Sequence, residues 1–135
     1  MIHVIMGLKG SGKTKKLIDS INATAASAQG SVVCIEYGSN LRYEVKSSVR
    51  LVSSKEYGIN NLDMLKGFLS GLHAGNFDIT HVFIDNLYKT IGSDAAAAEE
   101  FVAWCAEFAK TNSMEITISI SADPATASEA VKQYL

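Results

Sequence analysis

Short apolar runs alternate with longer amphipathic segments along the whole chain. The apolar runs are typical of buried strands, and five are predicted, at 2–6, 31–36, 49–53, 81–85 and 115–121. The segments between them repeat apolar positions every three or four residues, which predicts helices over 13–28, from Asn60 or Asn61 to about 74, and over 95–110. Asp123 followed by Pro124 is a strong helix start, so a last helix is predicted from there to the C-terminus.

This alternation of strands and helices is typical of an α/β protein. It predicts βαβ units, and hence a three-layer α/β/α sandwich with a mainly parallel five-stranded sheet. Because the strands are almost continuously apolar, both faces of the sheet should be covered. The 135 residues form a single predicted domain, 1–135, with no linker or repeat. Gly30 is expected to end the first helix as a left-handed cap.

One segment directly after the first strand matches the pattern G-x-x-x-x-G-K-[ST], and we name it the glycine loop: Gly7-Leu8-Lys9-Gly10-Ser11-Gly12-Lys13-Thr14. Its glycines let backbone N–H groups converge on phosphates, and the following helix adds the positive end of its dipole. In such P-loops the lysine, here Lys13, binds the β- and γ-phosphates, and the hydroxyl of the next residue, here Thr14, is a Mg²⁺ ligand. All eight residues are therefore expected to bind ATP.

A second candidate lies at the end of the fourth predicted strand, Val82-Phe83-Ile84-Asp85. An apolar strand that delivers an aspartate at its carboxyl end matches the Walker B arrangement, in which the carboxylate holds Mg²⁺ directly or through water. With the glycine loop upstream, Asp85 and Thr14 are the predicted metal residues. No Asn-Lys-x-Asp motif occurs, so ATP is expected rather than GTP.

Composition and charge narrow the classes of partner. The net charge is −2 and only two arginines are present, so the charge does not support nucleic-acid binding. No segment approaches 18 consecutive apolar residues and no secretory signal is recognised, so a cytoplasmic protein without a membrane span is expected. Cys34 and Cys105 lie in apolar runs and are predicted to be buried thiols.

Several features follow one another in a familiar order: the glycine loop, a strand ending in Glu36, the strand Val49-Arg50-Leu51-Val52, and Phe83-Ile84-Asp85-Asn86-Leu87. Over about residues 1 to 123 this order resembles the RecA-like ATPase core of recombinases, replicative hexameric helicases and the circadian clock ATPase. The resemblance implies that Glu36 orients the attacking water, which makes Lys13, Glu36 and Asp85 the predicted catalytic residues.

The family commonly receives an arginine or lysine finger from a neighbouring subunit. Arg42 and Arg50 are the only arginines, and neither lies in a finger context. The resemblance therefore implies slow turnover until a protein partner or a second copy of the chain supplies the finger. Such a group raises the rate by about 10³–10⁵.

A weaker resemblance, to thymidine kinases, is carried by Asn40-Leu41-Arg42-Tyr43. Those enzymes have a glutamate directly after the magnesium aspartate, where this chain has Asn86, and a cysteine-rich zinc lasso, which it lacks. Three functions stay open. The leading hypothesis is a Mg²⁺-dependent ATP-binding protein with slow ATPase activity. The alternatives are a small-molecule, nucleoside-type kinase and a non-hydrolysing nucleotide-dependent switch that binds a partner.

Five further residues lie on the ligand-binding side of the predicted sheet. Ser119 and Ser121 fall on the more polar side of the last strand, where a hydroxyl contacts either the γ-phosphate or the backbone. Tyr37, Tyr43 and Tyr57 follow strand ends, so adenine stacking and surface contacts are both open to them.

Overall fold

A parallel sheet organises the molecule. The computed structural model describes residues 1–135, with strands β1 (Ile2–Met6), β2 (Ser31–Glu36), β3 (Arg50–Ser53), β4 (Ile79–Ile84) and β5 (Glu115–Ile120). Every strand pair is parallel, and the order across the sheet is β1-β5-β4-β2-β3. The predicted α/β fold with a five-stranded parallel sheet is therefore confirmed.

The helices are α1 (Lys13–Ser27), α2 (Leu62–Gly75), α3 (Leu87–Ile91), α4 (Ala95–Thr111) and α5 (Glu129–Lys132). Side-chain oxygens begin α2 and α4 as predicted: Asn61 accepts from the Met64 N–H, and Asp94 accepts from the N–H groups of Ala96 and Ala97. None of the helices has the length and apolar composition that crossing a membrane requires.

The core is divided between the two faces of the sheet because successive strand residues point in opposite directions. On one face α1 packs against β2 and β4, through Leu17, Ile18, Ile21, Val32, Cys34 and Phe83. On the other face α2 and α4 cover the sheet, through Leu65, Leu69, Phe101, Val102 and Cys105. Helices on both faces fit the predicted three-layer arrangement.

Each face buries one of the two cysteines. Cys34 and Cys105 are both free thiols, as predicted. Burial raises the pKa of both thiols, and the nearby carboxylates of Asp85 and Glu36 add to the shift at Cys34. Neither thiol is therefore a nucleophile in the folded protein.

The predicted continuous C-terminal helix is wrong. Asp123 does accept from the Ala125 N–H, but the helix stops after a short 3₁₀ turn, Pro124–Thr126, and Ala127 is extended. The Thr126 hydroxyl donates to the Asp123 carbonyl at 2.6 Å, a local bond that competes with helix propagation. The chain becomes helical again only in α5, where Val131 is buried in the core.

Gly30 is not a left-handed cap, because its φ is not positive. α1 instead ends at Ala28, whose backbone is extended and whose N–H donates to the Thr24 carbonyl. Gly30 is required for close approach: a Cβ there would collide with the Asp78 carbonyl oxygen and the Thr80 methyl group. The sequence analysis also did not predict α3, a helix of five residues between β4 and α4.

Candidate functional site

The glycine loop leaves β1 at the carboxyl edge of the sheet and leads directly into α1. Gly10 and Gly12 have φ values of 86° and 84°, a left-handed conformation that a residue with a Cβ adopts only with strain. The Ser11 N–H donates to the Leu8 carbonyl, which closes the loop into a tight turn. No side chain caps α1 at Gly12, so the free N–H groups of its first turn remain available to an anion.

A cavity of about 550 Å³ lies against this loop. We name it the lysine-lined cavity, after four of its ten lining residues; the ten are Leu8, Lys9, Gly10, Gly12, Lys13, Thr14, Lys15, Asn86, Lys89 and Ser121. It contains four lysines and no carboxylate. The site therefore attracts anions.

Ion pairing separates the four lysines into two groups. Lys15 is paired with Asp19 at 3.1 Å on the exposed side of α1. Lys9, Lys13 and Lys89 form no salt bridge. Three positive charges at one cavity thus have no internal counter-charge, which favours a polyanionic ligand.

Another cavity of similar volume, about 570 Å³, lies at the amino edge of the sheet. Its charged residues include Glu107 and Lys110, whose charges oppose each other. It has neither a glycine loop nor a surplus of cations. Of the two, the lysine-lined cavity is therefore the better anion site.

Asp85 is the first residue after β4, and β5 separates that strand from β1. Its carboxylate accepts a hydrogen bond from the Ser119 hydroxyl at 3.2 Å, while the same hydroxyl accepts from the Asn86 N–H at 2.7 Å. Ser119, one of the two serines singled out in the sequence, therefore bonds to the backbone and holds Asp85. Ser121 is the one that lines the lysine-lined cavity.

Asn86 has two unusual features. Its φ is 48°, a left-handed conformation that asparagine tolerates better than most residues. Its side-chain oxygen Oδ1 is buried without a hydrogen-bond partner, although the residue lines the lysine-lined cavity. An unpaired buried acceptor costs free energy, and this oxygen is itself closed off from the cavity that the residue lines.

Glu36 lies elsewhere. It is 3% exposed, and its two carboxylate oxygens accept from the N–H groups of Asn40 at 2.8 Å and Leu41 at 3.2 Å. It lines a separate cavity of about 170 Å³ that also includes Arg42. Burial raises the pKa of Glu36; the bonds from Leu41 and Asn40 oppose this, and the Asp85 charge adds to it.

The three tyrosines considered for adenine stacking do not line the lysine-lined cavity. Tyr43 is 86% exposed with the Arg42 guanidinium 4.9 Å from its ring centre, and Tyr37 has the Lys55 ammonium at 5.8 Å. Tyr57 lies near Phe68 on α2. The three rings are exposed around the ends of β2 and β3, and the structure does not bring them to the glycine loop.

Lys89 is the residue that sequence reasoning missed. It lies on α3, which is only five residues long and therefore gives a weak periodic signal. The sequence signal for α3 is the apolar pair Leu87 and Ile91, four residues apart and followed by Gly92. In the structure Gly92 has a φ of 93°. That pattern predicts one helical turn ending at glycine, with Lys89 on its outer side.

No protein-family model matches the chain, and no curated protein matches it in sequence. The chemistry of the site is therefore inferred from its own residues. These are the glycine loop, the lysine-lined cavity and the turn from Asp85 to Lys89.

Proposed function

We propose that this protein binds ATP with Mg²⁺ through the glycine loop, as a P-loop protein of RecA-like type, and hydrolyses it slowly. The observation that carries the proposal is the lysine-lined cavity, where Lys9, Lys13 and Lys89 lack counter-charges and no carboxylate is present. A triphosphate supplies the missing negative charge in a shape that fits a loop of converging N–H groups.

Each loop residue has a role in this proposal. The backbone N–H groups at Gly10, Gly12 and the start of α1 bind the phosphate oxygens. Lys13, which is half-buried at the first position of α1, supplies the charge for the β- and γ-phosphates. The Thr14 hydroxyl lies one residue further along the same turn and lines the same cavity.

We assign Mg²⁺ to Thr14 and Asp85. The chain has no group of three or more His, Cys, Asp or Glu side chains arranged for a metal, but Mg²⁺ bound with a nucleotide needs only one or two protein oxygens. Thr14, which lines the cavity, would supply a hydroxyl, and Asp85, which precedes the cavity residue Asn86 but does not line the cavity itself, would supply a carboxylate. When bound, the ion would neutralise part of the phosphate charge.

We propose that hydrolysis is slow because Glu36 does not line the lysine-lined cavity. A general base must come within hydrogen-bond reach of the water that it activates. Both Glu36 oxygens are engaged by the loop that follows β2, and the carboxylate lines a different cavity from Lys13. To position water at the γ-phosphate, Glu36 would have to reach from its own cavity to the one that Lys13 lines.

The same observation favours a second candidate, a nucleotide-dependent switch. The bonds that the Asn40 and Leu41 N–H groups donate to Glu36 hold the segment that carries Arg42 and the exposed Tyr43. A charge placed near Glu36 and Asp85 by Mg²⁺ or phosphate would change this attachment. Nucleotide binding would then change the position of the exposed Tyr43 segment, and hence partner binding there, without hydrolysis.

Phosphate release separates the two candidates. Purified wild type, Glu36→Gln and Lys13→Ala are incubated with Mg²⁺-ATP in excess, and free phosphate is measured over hours. Slow release by wild type that both substitutions abolish supports the ATPase. Nucleotide binding without release, equal in wild type and Glu36→Gln, supports the switch and removes the catalytic role of Glu36. Release that appears only with an added nucleoside acceptor, as phosphorylated product, would replace both with a kinase.

A further inference from the structure

We propose that Lys89 is an in-chain cation for the terminal phosphate, so that one chain completes the triphosphate site without a finger from a neighbour. The inference rests on the proposed nucleotide binding and adds to it the selectivity for triphosphate over diphosphate. It starts from the position of Lys89, which lines the same cavity as Lys13 and Thr14 although it comes from a different layer of the protein.

The backbone under Lys89 is anchored on both sides. Leu87 is fully buried in the core, and the Thr90 and Ser54 hydroxyls share a buried hydrogen bond of 2.9 Å that ties α3 to the end of β3. At the start of the turn the Asn86 N–H donates to Ser119 at 2.7 Å. The fold therefore fixes the backbone position of Lys89, and only its side chain has to be ordered when a ligand binds.

Lys89 itself has no partner in the protein. It is exposed, forms no salt bridge, and shares its cavity with no carboxylate. The two arginines are not alternatives at this cavity, since Arg42 lines the separate cavity beside Glu36 and Arg50 lies on the edge strand β3. Lys89 is thus the unpaired cation that reaches the cavity from outside the glycine loop and α1.

The chain connectivity indicates which phosphate it meets. Lys89 follows Asp85 by four residues, on the same β4–α3 connection. If Asp85 supports Mg²⁺ bound with the nucleotide, its carboxylate would lie near the terminal phosphate. Lys89 comes to the cavity from the same connection as Asp85, whereas the glycine loop and Lys13 come to it from β1 and α1, so we assign Lys89 to the γ-phosphate.

The test is equilibrium binding of β,γ-imido-ATP and of ADP, both with Mg²⁺, to wild type, Lys89→Ala and Lys89→Arg. Lys110→Ala, which removes an exposed lysine near the opposite edge of the sheet, is the matched control. Lys89→Ala should weaken the imido-triphosphate on the order of tenfold or more, as for loss of a charge-assisted bond, and ADP by less than about twofold. Lys89→Arg should restore most of the loss, and Lys110→Ala should change neither ligand.

The outcomes distinguish this inference from the proposal beneath it. If wild type binds both nucleotides and Lys89→Ala weakens neither, or weakens both equally, Lys89 does not serve the terminal phosphate and the inference is overturned. If wild type binds neither nucleotide, the proposed function fails and the inference fails with it. Melting temperatures of all variants, expected to match wild type within a few degrees, exclude a folding defect as the cause.

Discussion

The Ser119 hydroxyl donates a hydrogen bond of 3.2 Å to the Asp85 carboxylate while it accepts one of 2.7 Å from the Asn86 N–H. Ser119 is fully buried on β5, the strand between the glycine-loop strand β1 and the aspartate strand β4. One hydroxyl therefore fixes both the orientation of Asp85 and the left-handed turn that begins α3. This links the carboxylate proposed for Mg²⁺ to the turn that carries Lys89.

Ser119→Ala should therefore affect stability and metal-dependent binding together. The substitution leaves the Asn86 N–H without its partner, which should lower the free energy of unfolding by about 1–3 kcal/mol. It also frees Asp85 to turn away, so nucleotide affinity should fall more in Mg²⁺ than in EDTA. Urea unfolding and nucleotide titrations measure the two effects.

Ser70→Ala, on the exposed side of α2, is the control and should shift the free energy of unfolding by no more than about 0.5 kcal/mol. If Ser119→Ala left both the free energy of unfolding and the nucleotide affinity unchanged, Ser119 would not hold Asp85 and Asn86 in place.

The buried pair Ser54 and Thr90 should show strong coupling. Ser54→Ala or Thr90→Val alone leaves one buried hydroxyl unpaired, which should cost about 1–3 kcal/mol. The double variant removes both hydroxyls and should cost less than the sum of the two single changes. A double-mutant cycle in urea measures this coupling, and strict additivity would show that the bond does not hold α3.

A pH effect is expected from Glu36. Because burial raises the pKa of this carboxyl in the folded protein, its protonated form stabilises the fold. That stabilisation is fully present below the ordinary glutamate pKa of 4.5 and is lost as the pH rises through the folded pKa. Glu36→Gln cannot titrate, so the stability of wild type relative to the variant should fall as the pH rises above 4.5.

Unfolding curves from about pH 4 to pH 8 measure this difference. Glu56→Gln, an exposed neighbour at the same small cavity, is the control for removal of one carboxylate. A wild-type advantage that grows with rising pH would mean that the pKa of Glu36 is lowered instead. In that case the bonds from Leu41 and Asn40 would outweigh burial.

Much of the fold could be predicted from the sequence because its strands and long helices carry strong periodic signals. The predicted bounds of β1 and β2 agree with the structure, and Asn61 and Asp94 cap the helices for which they were proposed. The extent of the last helix is wrong because Asp123 and Pro124 indicate only where a helix starts. They do not register the bond from the Thr126 hydroxyl to the Asp123 carbonyl, after which Ala127 is extended. The prediction of a left-handed cap at Gly30 is wrong because the need for glycine there comes from the close approach of the Asp78 carbonyl, which is far away in sequence.

The site was predictable only where its residues are contiguous. The glycine loop is a local pattern, and the structure gives two of its glycines, Gly10 and Gly12, a left-handed backbone. Lys89 could not be found in this way, since it is far from the glycine loop in sequence and meets it only at the cavity of the folded chain. The engagement of Glu36 by Asn40 and Leu41 is likewise a property of the folded loop, and the catalytic role of Glu36 stays a prediction.

The most direct test of the central claim is calorimetric titration of Mg²⁺-ATP into wild type, Lys13→Ala and Lys16→Ala. Lys16 lies on the exposed side of α1, three residues after Lys13, and does not line the cavity. Wild type and Lys16→Ala should bind one nucleotide per chain with affinities within about twofold, whereas Lys13→Ala should bind at least about tenfold more weakly. Absence of binding by wild type, or equal binding by Lys13→Ala, would contradict the glycine loop as a nucleotide site.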